Sequence, residues 1–597
     1  MVREMLVTLL LFYLAAAEPG QQAYLAAAEP GQQARRRGSS KRFVDYLNPH
    51  LQGRTWMRAT VGDADGSDEN SDGAPPDVQE LFLEQRLDHF AQSDSTELPI
   101  PTFRQRYFYS DRYVRGSSDD RHHNGGSPSP SSSYAFLCMG GEGPSLTKHV
   151  LVDSVHCSGD MLELASILYN RHGLDVHLYA LEHRYYGQSY PQFSDGSSPV
   201  SNENLRYLSS RQALGDMAHF VSTAIHGGGS SFSSNVKVVT FGGSYPGMLS
   251  AWARLKYPHL IFASVSNSSP VQAQLDFPEY NDRVAYDLRD EAVGGSDACF
   301  DIFSAGHAEI SGMVSADNDG REKVAELFNI CGGAEALADP MNANAFLGDG
   351  VVVVGAQSND PSCTDRICNI EHLCASLIAA KEITGSNVEA LAAIAKVQRN
   401  GGDSTENDNC VDVDWEQTIA YLSSDEAMEE GTRSWLWQTC TEFGFYQTCK
   451  EDSDCPYGKG HHQLSMDLEI CERAFGVAKN SVWRNVQQSN EQYGGWNIDS
   501  TRLLFVNGEV DPWSMLSVDL DHGRSAELPT IWVEGASHHF WTHQVLESDG
   551  DTIVEVRRAI YQQIIEWLGL EDRLYSDSPA RVSNLRSRIP VSVVEGR

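Results

Sequence analysis

Six short apolar runs, each closing on glycine or a polar loop, set the tightest limit on what this chain can fold into. They are YAFLCMGG from Tyr134, VHLYALEH from Val176, VKVVTFGG from Val236, FASVSNSS from Phe262, RLLFVNGE from Arg502 and TIWVEGAS from Thr530. Near-continuous hydrophobicity at this length is the signature of a strand covered on both faces. Helical patterns separate several of the runs, among them SRQALGDMAHFVSTAI from Ser210 and VEVRRAIYQQIIEWLGL close to the C-terminus. Such alternation predicts an α/β fold, with a mainly parallel sheet and helices on both faces. Residues 274–495 break the pattern, being helix-rich and carrying ten of the 12 cysteines. They read as a helical domain inserted between two parts of one α/β core, residues 78–273 and 496–570.

The cysteines themselves point to an oxidising compartment. Their number is even and no CxxC pair occurs, so disulfides take precedence over zinc, with the pairing left open. The N-terminus agrees: residues 1–17 carry Arg3 and then an apolar stretch from Met5 to Ala17, too short to span a bilayer, which reads as a secretory signal peptide. YLAAAEPGQQA then occurs in tandem, from Tyr13 and from Tyr24, and carries no chemistry. Residues 18–77 are otherwise low in apolar content and predicted disordered, with Arg35, Arg36 and Arg37 as a solvated charge run or a processing site. RGSSDDRHHNGGSPSPSSS from Arg115 predicts an exposed loop in which His122 and His123 are solvated, and residues 571–597 form a tail. The formal net charge of -37 repels nucleic acid and anionic membrane, so neither is an expected partner. The expected location is the secretory pathway, ending in lysosome, endosome or the extracellular space.

GGSYPG, residues 242–247, follows one of the apolar runs and precedes a helical segment. A serine on a tight strand-to-helix turn, with small neighbours, is how an α/β-hydrolase presents its nucleophile, and the fold's chain order is Ser, then Asp or Glu, then His. Downstream, VNGEVDPW places Asp511 just past a strand, and EGASHHFW places His538 and His539 in the next such loop. Ser244, Asp511 and His538 are therefore the catalytic candidates. Pro246 stands where the GxSxG pattern has its second glycine, but it falls in the first helical turn, where its missing N–H is not needed. The oxyanion donors expected are the N–H of Tyr245 and one from the loop MGGEGPS, supplied by Gly141 or Glu142.

GGSYPGMLSAWARLKYPHLIFASVSNSSPV, EHRYYGQSYP, YLSSRQALGDMAHF, WLWQTCTEFGFYQT, VNGEVDPWSMLSV and EGASHHFW together resemble the serine peptidases that include lysosomal prolyl carboxypeptidase, dipeptidyl peptidase 2 and thymus-specific serine protease, nearest to the last branch. LEQRLDHF and TFRQRYF extend the likeness, so that it covers roughly residues 82–568. The resemblance implies an α/β-hydrolase core with an inserted, disulfide-rich helical cap, and exopeptidase action near proline as a carboxypeptidase or a dipeptidyl peptidase. It also implies peptide substrates, no cofactor and no metal, with a homodimer left open. It makes the first histidine of the pair, His538, the base. Two departures bear on this: Pro246 replaces a small residue, and the family's GAHH reads GASHH, which keeps His539 as an alternative. A non-enzymatic binding protein or an esterase of the same fold are the competing readings. Trp435, Trp437, Phe443, Phe445 and Tyr446 are expected as core or pocket wall, and Asn267, which opens an NSS sequon, as too buried to be glycosylated.

Overall fold

The computed structural model describes residues 77–91, 101–115, 133–227, 236–363, 367–399, 410–428, 431–519 and 528–570. The predicted signal peptide, the tandem repeat, the arginine run, the loop with His122 and His123, and the 571–597 tail lie outside the described residues.

Eight strands form one sheet: β1 (Val78–Arg86), β2 (Thr102–Tyr113), β3 (Ser133–Met139), β4 (Asp175–Leu181), β5 (Lys237–Gly243), β6 (Ile261–Asn267), β9 (Leu503–Gly508) and β10 (Thr530–Val533). Their order is β1-β2-β4-β3-β5-β6-β9-β10. β1 and β2 run antiparallel, β2 meets β4 antiparallel, and every pairing from β4 to β10 is parallel. An antiparallel first strand pair, the exchange of β3 and β4, and a parallel remainder make this an α/β-hydrolase fold.

Period-two alternation sorts the strand side chains onto the two faces. Leu137 and Val238 join one hydrophobic layer, against Met217 and Phe220 of α2 (Ser210–Phe220) and Trp252 of α3 (Tyr245–Lys256). Phe136, Val239 and Phe241 join the other, against Leu164 and Leu168 of α1 (Glu163–His172) and Ile560 and Ile564 of α5 (Asp551–Leu568).

Between β6 and β9 the chain is mostly helical, including Asp297–Ala316, Ile370–Thr384, Asn387–Arg399, α4 (Thr432–Gln438), Leu464–Phe475 and Lys479–Tyr493. Two three-residue strands, β7 (Gln274–Asp276) and β8 (Gly444–Tyr446), pair with each other alone. All 12 cysteines are bridged. Cys138–Cys157 lies in the core, while Cys299–Cys374, Cys331–Cys410, Cys363–Cys368, Cys440–Cys471 and Cys449–Cys455 staple the helical stretch.

Candidate active site

β5 ends at Gly243 and α3 begins at Tyr245, so Ser244 is the whole of the turn between them. Its backbone sits at φ 62°, ψ −133°, in the region that favours glycine. A non-glycine residue there stores on the order of 1–3 kcal/mol of strain and persists only when its surroundings over-determine it. Those surroundings are visible. Ser244 N–H donates to Asn267 O at 2.9 Å, and Ser244 O accepts from Met248 N. The Ser244 hydroxyl is buried and hydrogen-bonds to no other described residue.

Pro246 is accommodated by its neighbours. It occupies the first turn of α3, where an N–H would find no helical partner. Its ring lies against Gly141, where a Cβ would fall 2.4 Å from Pro246 Cγ. The MGGEGPS loop therefore rests directly on the start of α3, which brings together the two backbone segments expected to supply oxyanion donors. Gly243 is needed for a similar reason: a Cβ there would come within 2.7 Å of the His539 ring.

Asp511 is the residue after the β9 exit loop, and its side chain caps the short helix Pro512–Leu516 through Trp513 N–H at 3.0 Å. Asp511 Oδ1 also lies 2.9 Å from His538 Nδ1, with both side chains buried. His539 does something different. Its N–H donates to Ser268 Oγ at 2.8 Å, its Nδ1 lies 3.1 Å from Thr542 Oγ1, and its ring covers Gly243. Burial, with His538, His543 and His156 nearby, holds its pKa well below the usual imidazole value. The inserted Ser537 thus leaves the first histidine facing the aspartate and turns the second toward the end of β5.

Buried polar residues outside the three candidates brace this arrangement. Asn267, at the end of β6, has its Nδ2 2.8 Å from Asp160 Oδ2 and 3.2 Å from Gly242 O, while its Oδ1 accepts from Trp541 Nε1 at 2.7 Å. One buried amide thereby ties the serine turn to the histidine loop. Asp160 is itself wholly buried, which pushes its pKa up to about 7 despite the bonds from Asn267 and Met161 N–H. On the other side, the Tyr245 hydroxyl lies 3.0 Å from His183 Nε2 and accepts from Gln438 Nε2 of α4 at 2.9 Å. His183 Nδ1 lies 2.6 Å from Arg184 O and so carries the ring proton, which leaves Nε2 to accept from Tyr245. The Asp160 contact had no local signal in sequence, since a buried carboxylate among SGDMLEL reads like any helix-start acid.

Trp435, Phe443, Phe445 and Tyr446 are buried, as expected of core or pocket wall, and Trp437 is half-buried. Phe445 holds φ 68°. Glu142 is buried in the loop against α3.

The family model described as serine carboxypeptidase S28 matches residues 85–560. Mouse thymus-specific serine protease is 34% identical over 504 residues, which covers 83% of this chain and 88% of that protein. Mouse lysosomal Pro-X carboxypeptidase is 26% identical over 476 residues, 77% of this chain and 83% of that protein. Among solved structures, the peroxisomal alpha-beta-hydrolase Lpx1 from Saccharomyces cerevisiae aligns over 83% of this chain and 90% of its own, at 7% identity and TM-score 0.31.

Proposed function

The chain belongs to the serine carboxypeptidase S28 family of serine peptidases, and from that premise we propose that it is an exopeptidase cleaving small peptides near proline, with Ser244, Asp511 and His538 as its catalytic triad. The observation that carries the reading is the conjunction of a strained serine turn after β5 with an aspartate and a histidine 2.9 Å apart in the loops that follow β9 and β10 of the same sheet.

In this mechanism Ser244 Oγ attacks the scissile carbonyl carbon while His538 Nε2 takes its proton. Asp511, at Nδ1, holds the ring tautomer and stabilises the imidazolium. The tetrahedral oxyanion is met by the backbone N–H of Tyr245, whose place as first helical residue leaves it without an intrahelical acceptor, and by that of Gly141. Collapse breaks the C–N bond, and His538 returns the proton to the leaving amine. A water then attacks the acyl-enzyme, His538 accepts its proton, and Ser244 Oγ recovers it as the acid product leaves. The inserted helical region, whose Trp435 packs 5.6 Å from the Tyr245 ring, limits access to chain ends.

The lysosomal relative named above and the even, fully bridged cysteine set support a location in the secretory pathway. No helix among the described residues is long and apolar enough to cross a membrane.

The experiment is mass spectrometry of products from proline-containing peptides with free or blocked termini, using wild type and Ser244→Ala. Loss of a residue after proline from the carboxyl end marks a carboxypeptidase, and release of an amino-terminal dipeptide marks a dipeptidyl peptidase. Hydrolysis that survives Ser244→Ala would refute the triad. Inert wild type that also fails to react with a fluorophosphonate would favour a binding protein.

A further inference from the structure

A cleft opens between the core and the inserted region. Trp435, Phe445, Tyr446 and Trp513 line its apolar side, and Asp349, His462 and Asp467 its polar side. The cleft shares walls with the site described above. The Trp435 ring packs on Tyr245, the residue after Ser244, and Trp513 N–H donates to Asp511 Oδ1.

The polar side has an uneven charge count. His462 Nδ1 lies 2.6 Å from Asp349 Oδ1, and Nε2 lies 3.1 Å from Asp467 Oδ2. A carboxylate at each nitrogen requires both to be donors, so the ring is imidazolium. Burial alone would lower its pKa, but Asp349 and Asp467 outweigh burial and hold it well above the usual value. With both carboxylates ionised the cluster carries one negative charge in excess, and burial, with Asp349 nearby, accordingly pushes the Asp467 pKa up against the pull of His462. All three side chains are largely buried, and a charge held out of water is stabilised by a counter-ion that arrives. The tryptophan, phenylalanine and tyrosine side chains that line the same cleft are of the type that attracts a cation to a ring face.

We propose that this cleft is a substrate subsite for a cationic group, with an ammonium against the Asp349–His462–Asp467 cluster and its carbon chain between the aromatic rings. The proposal rests on the peptidase reading for the nature of the substrate, and it adds a charge preference that neither the fold nor the triad supplies. In a peptide the ammonium comes from a free amino terminus or from a lysine side chain. The net charge of -37 draws either one toward the molecule.

Two arms test it. In the first, calorimetry compares phenethylammonium with its neutral counterpart 2-phenylethanol on wild type, Asp349→Asn and Asp467→Asn. Wild type is expected to bind the cation about tenfold tighter or more, and each variant to lose most of that ratio. Equal affinity of wild type for the two probes overturns the proposal, and this comparison needs no variant to fold. In the second arm, kcat/KM is measured on matched peptides, free against acetylated amino terminus and lysine against norleucine. A preference for the free terminus identifies that source, and a preference for lysine identifies the side chain. Cleavage with neither preference overturns the subsite, as does an equal loss on both members of each pair in the variants, which would mark a purely structural cluster. If no peptide is cleaved while the tenfold preference in binding remains, the peptidase reading fails and the cation site stands.

Discussion

At the scale of single residues, Pro246 and Gly141 form one unit. Gly141→Ala would drive a Cβ to 2.4 Å from a proline ring that has no rotamer to escape into. Over-packing of this kind costs about 1–3 kcal/mol, and displacement of the loop would also remove the oxyanion donor proposed at Gly141, worth about 10²-fold in kcat. Pro246→Ala in the same chain opens the space, so the double variant is expected to recover much of the loss, measured as coupling in a double-mutant cycle on kcat and melting temperature. Simple additivity of the two would refute the packing argument. The two histidines separate in the same way. His538→Ala, which removes the ring facing Asp511, is expected to lower kcat by about 10⁴-fold. His539→Ala leaves a cavity over Gly243 and is expected to lower the melting temperature while reducing kcat far less. Steady-state kinetics beside thermal unfolding decides this, and the reverse ranking would exchange their roles. The strand-end positions of Ser244, Asp511 and His538 were legible in the sequence because each follows an apolar run and the three come in the fold's order. Between His538 and His539 the resemblance favoured the first and the inserted residue kept the second open, and it is the path of the loop that shows which ring turns to the aspartate.

At the scale of elements, the six apolar runs correspond to β3, β4, β5, β6, β9 and β10, because a strand buried on both faces leaves an unbroken hydrophobic trace. β1 and β2 left no such trace. They form the antiparallel edge of the sheet, so β1 alternates exposed and covered residues along LFLEQR, and β7 and β8 are too short for any period to show. The family motifs outside the triad turn out to converge on one another. Arg184 of EHRYYG donates from Nε and Nη2 to both oxygens of Asp216 in RQALGDM at 2.7 Å, and His89 of LDHF lies 2.8 Å from the same carboxylate. Three segments distant in sequence are thus tied under the edge of the sheet, a contact pattern that no single segment reveals. Asn267 plays this part between β6 and the histidine loop. Asn267→Ala would leave Trp541 Nε1 and Asp160 Oδ2 buried without partners, at about 1–3 kcal/mol for each group. A lower melting temperature and slower fluorophosphonate labelling of Ser244 are expected together. A variant as stable and as reactive as wild type would remove Asn267 from the bracing. The same burial predicts that glycosidase treatment of native protein leaves residue 267 as asparagine.

For the molecule as a whole, the question is how the disulfide-stapled helical region stays registered on the core, and one buried carboxyl gives a measurable answer. Glu442, just after α4, accepts from Ser210 N–H at 3.0 Å and Ser210 Oγ at 2.5 Å at the start of α2, and from Gln438 Nε2 at 3.2 Å. Gln438 in turn holds the Tyr245 hydroxyl, so the joint between the two regions runs to within one residue of Ser244. Complete burial, against the bonds from Ser210 and Gln438, pushes the Glu442 pKa from 4.5 up to about 7. A carboxyl raised in the folded state binds its proton more tightly there than in the unfolded chain. Its contribution is fully present below about pH 4.5 and is lost as pH rises through about 7. That span corresponds to a swing of about 3 kcal/mol. Glu442→Gln cannot titrate, so it lacks this swing while losing one acceptor oxygen. Thermal unfolding from pH 4 to pH 8.5 is therefore expected to show the variant well below wild type at acidic pH, with the gap closing as pH rises past 7. A gap independent of pH would mean that Glu442 does not hold its proton at the joint, and that the helical region is registered on the core by its other contacts, such as the bond from Gln438 to Tyr245.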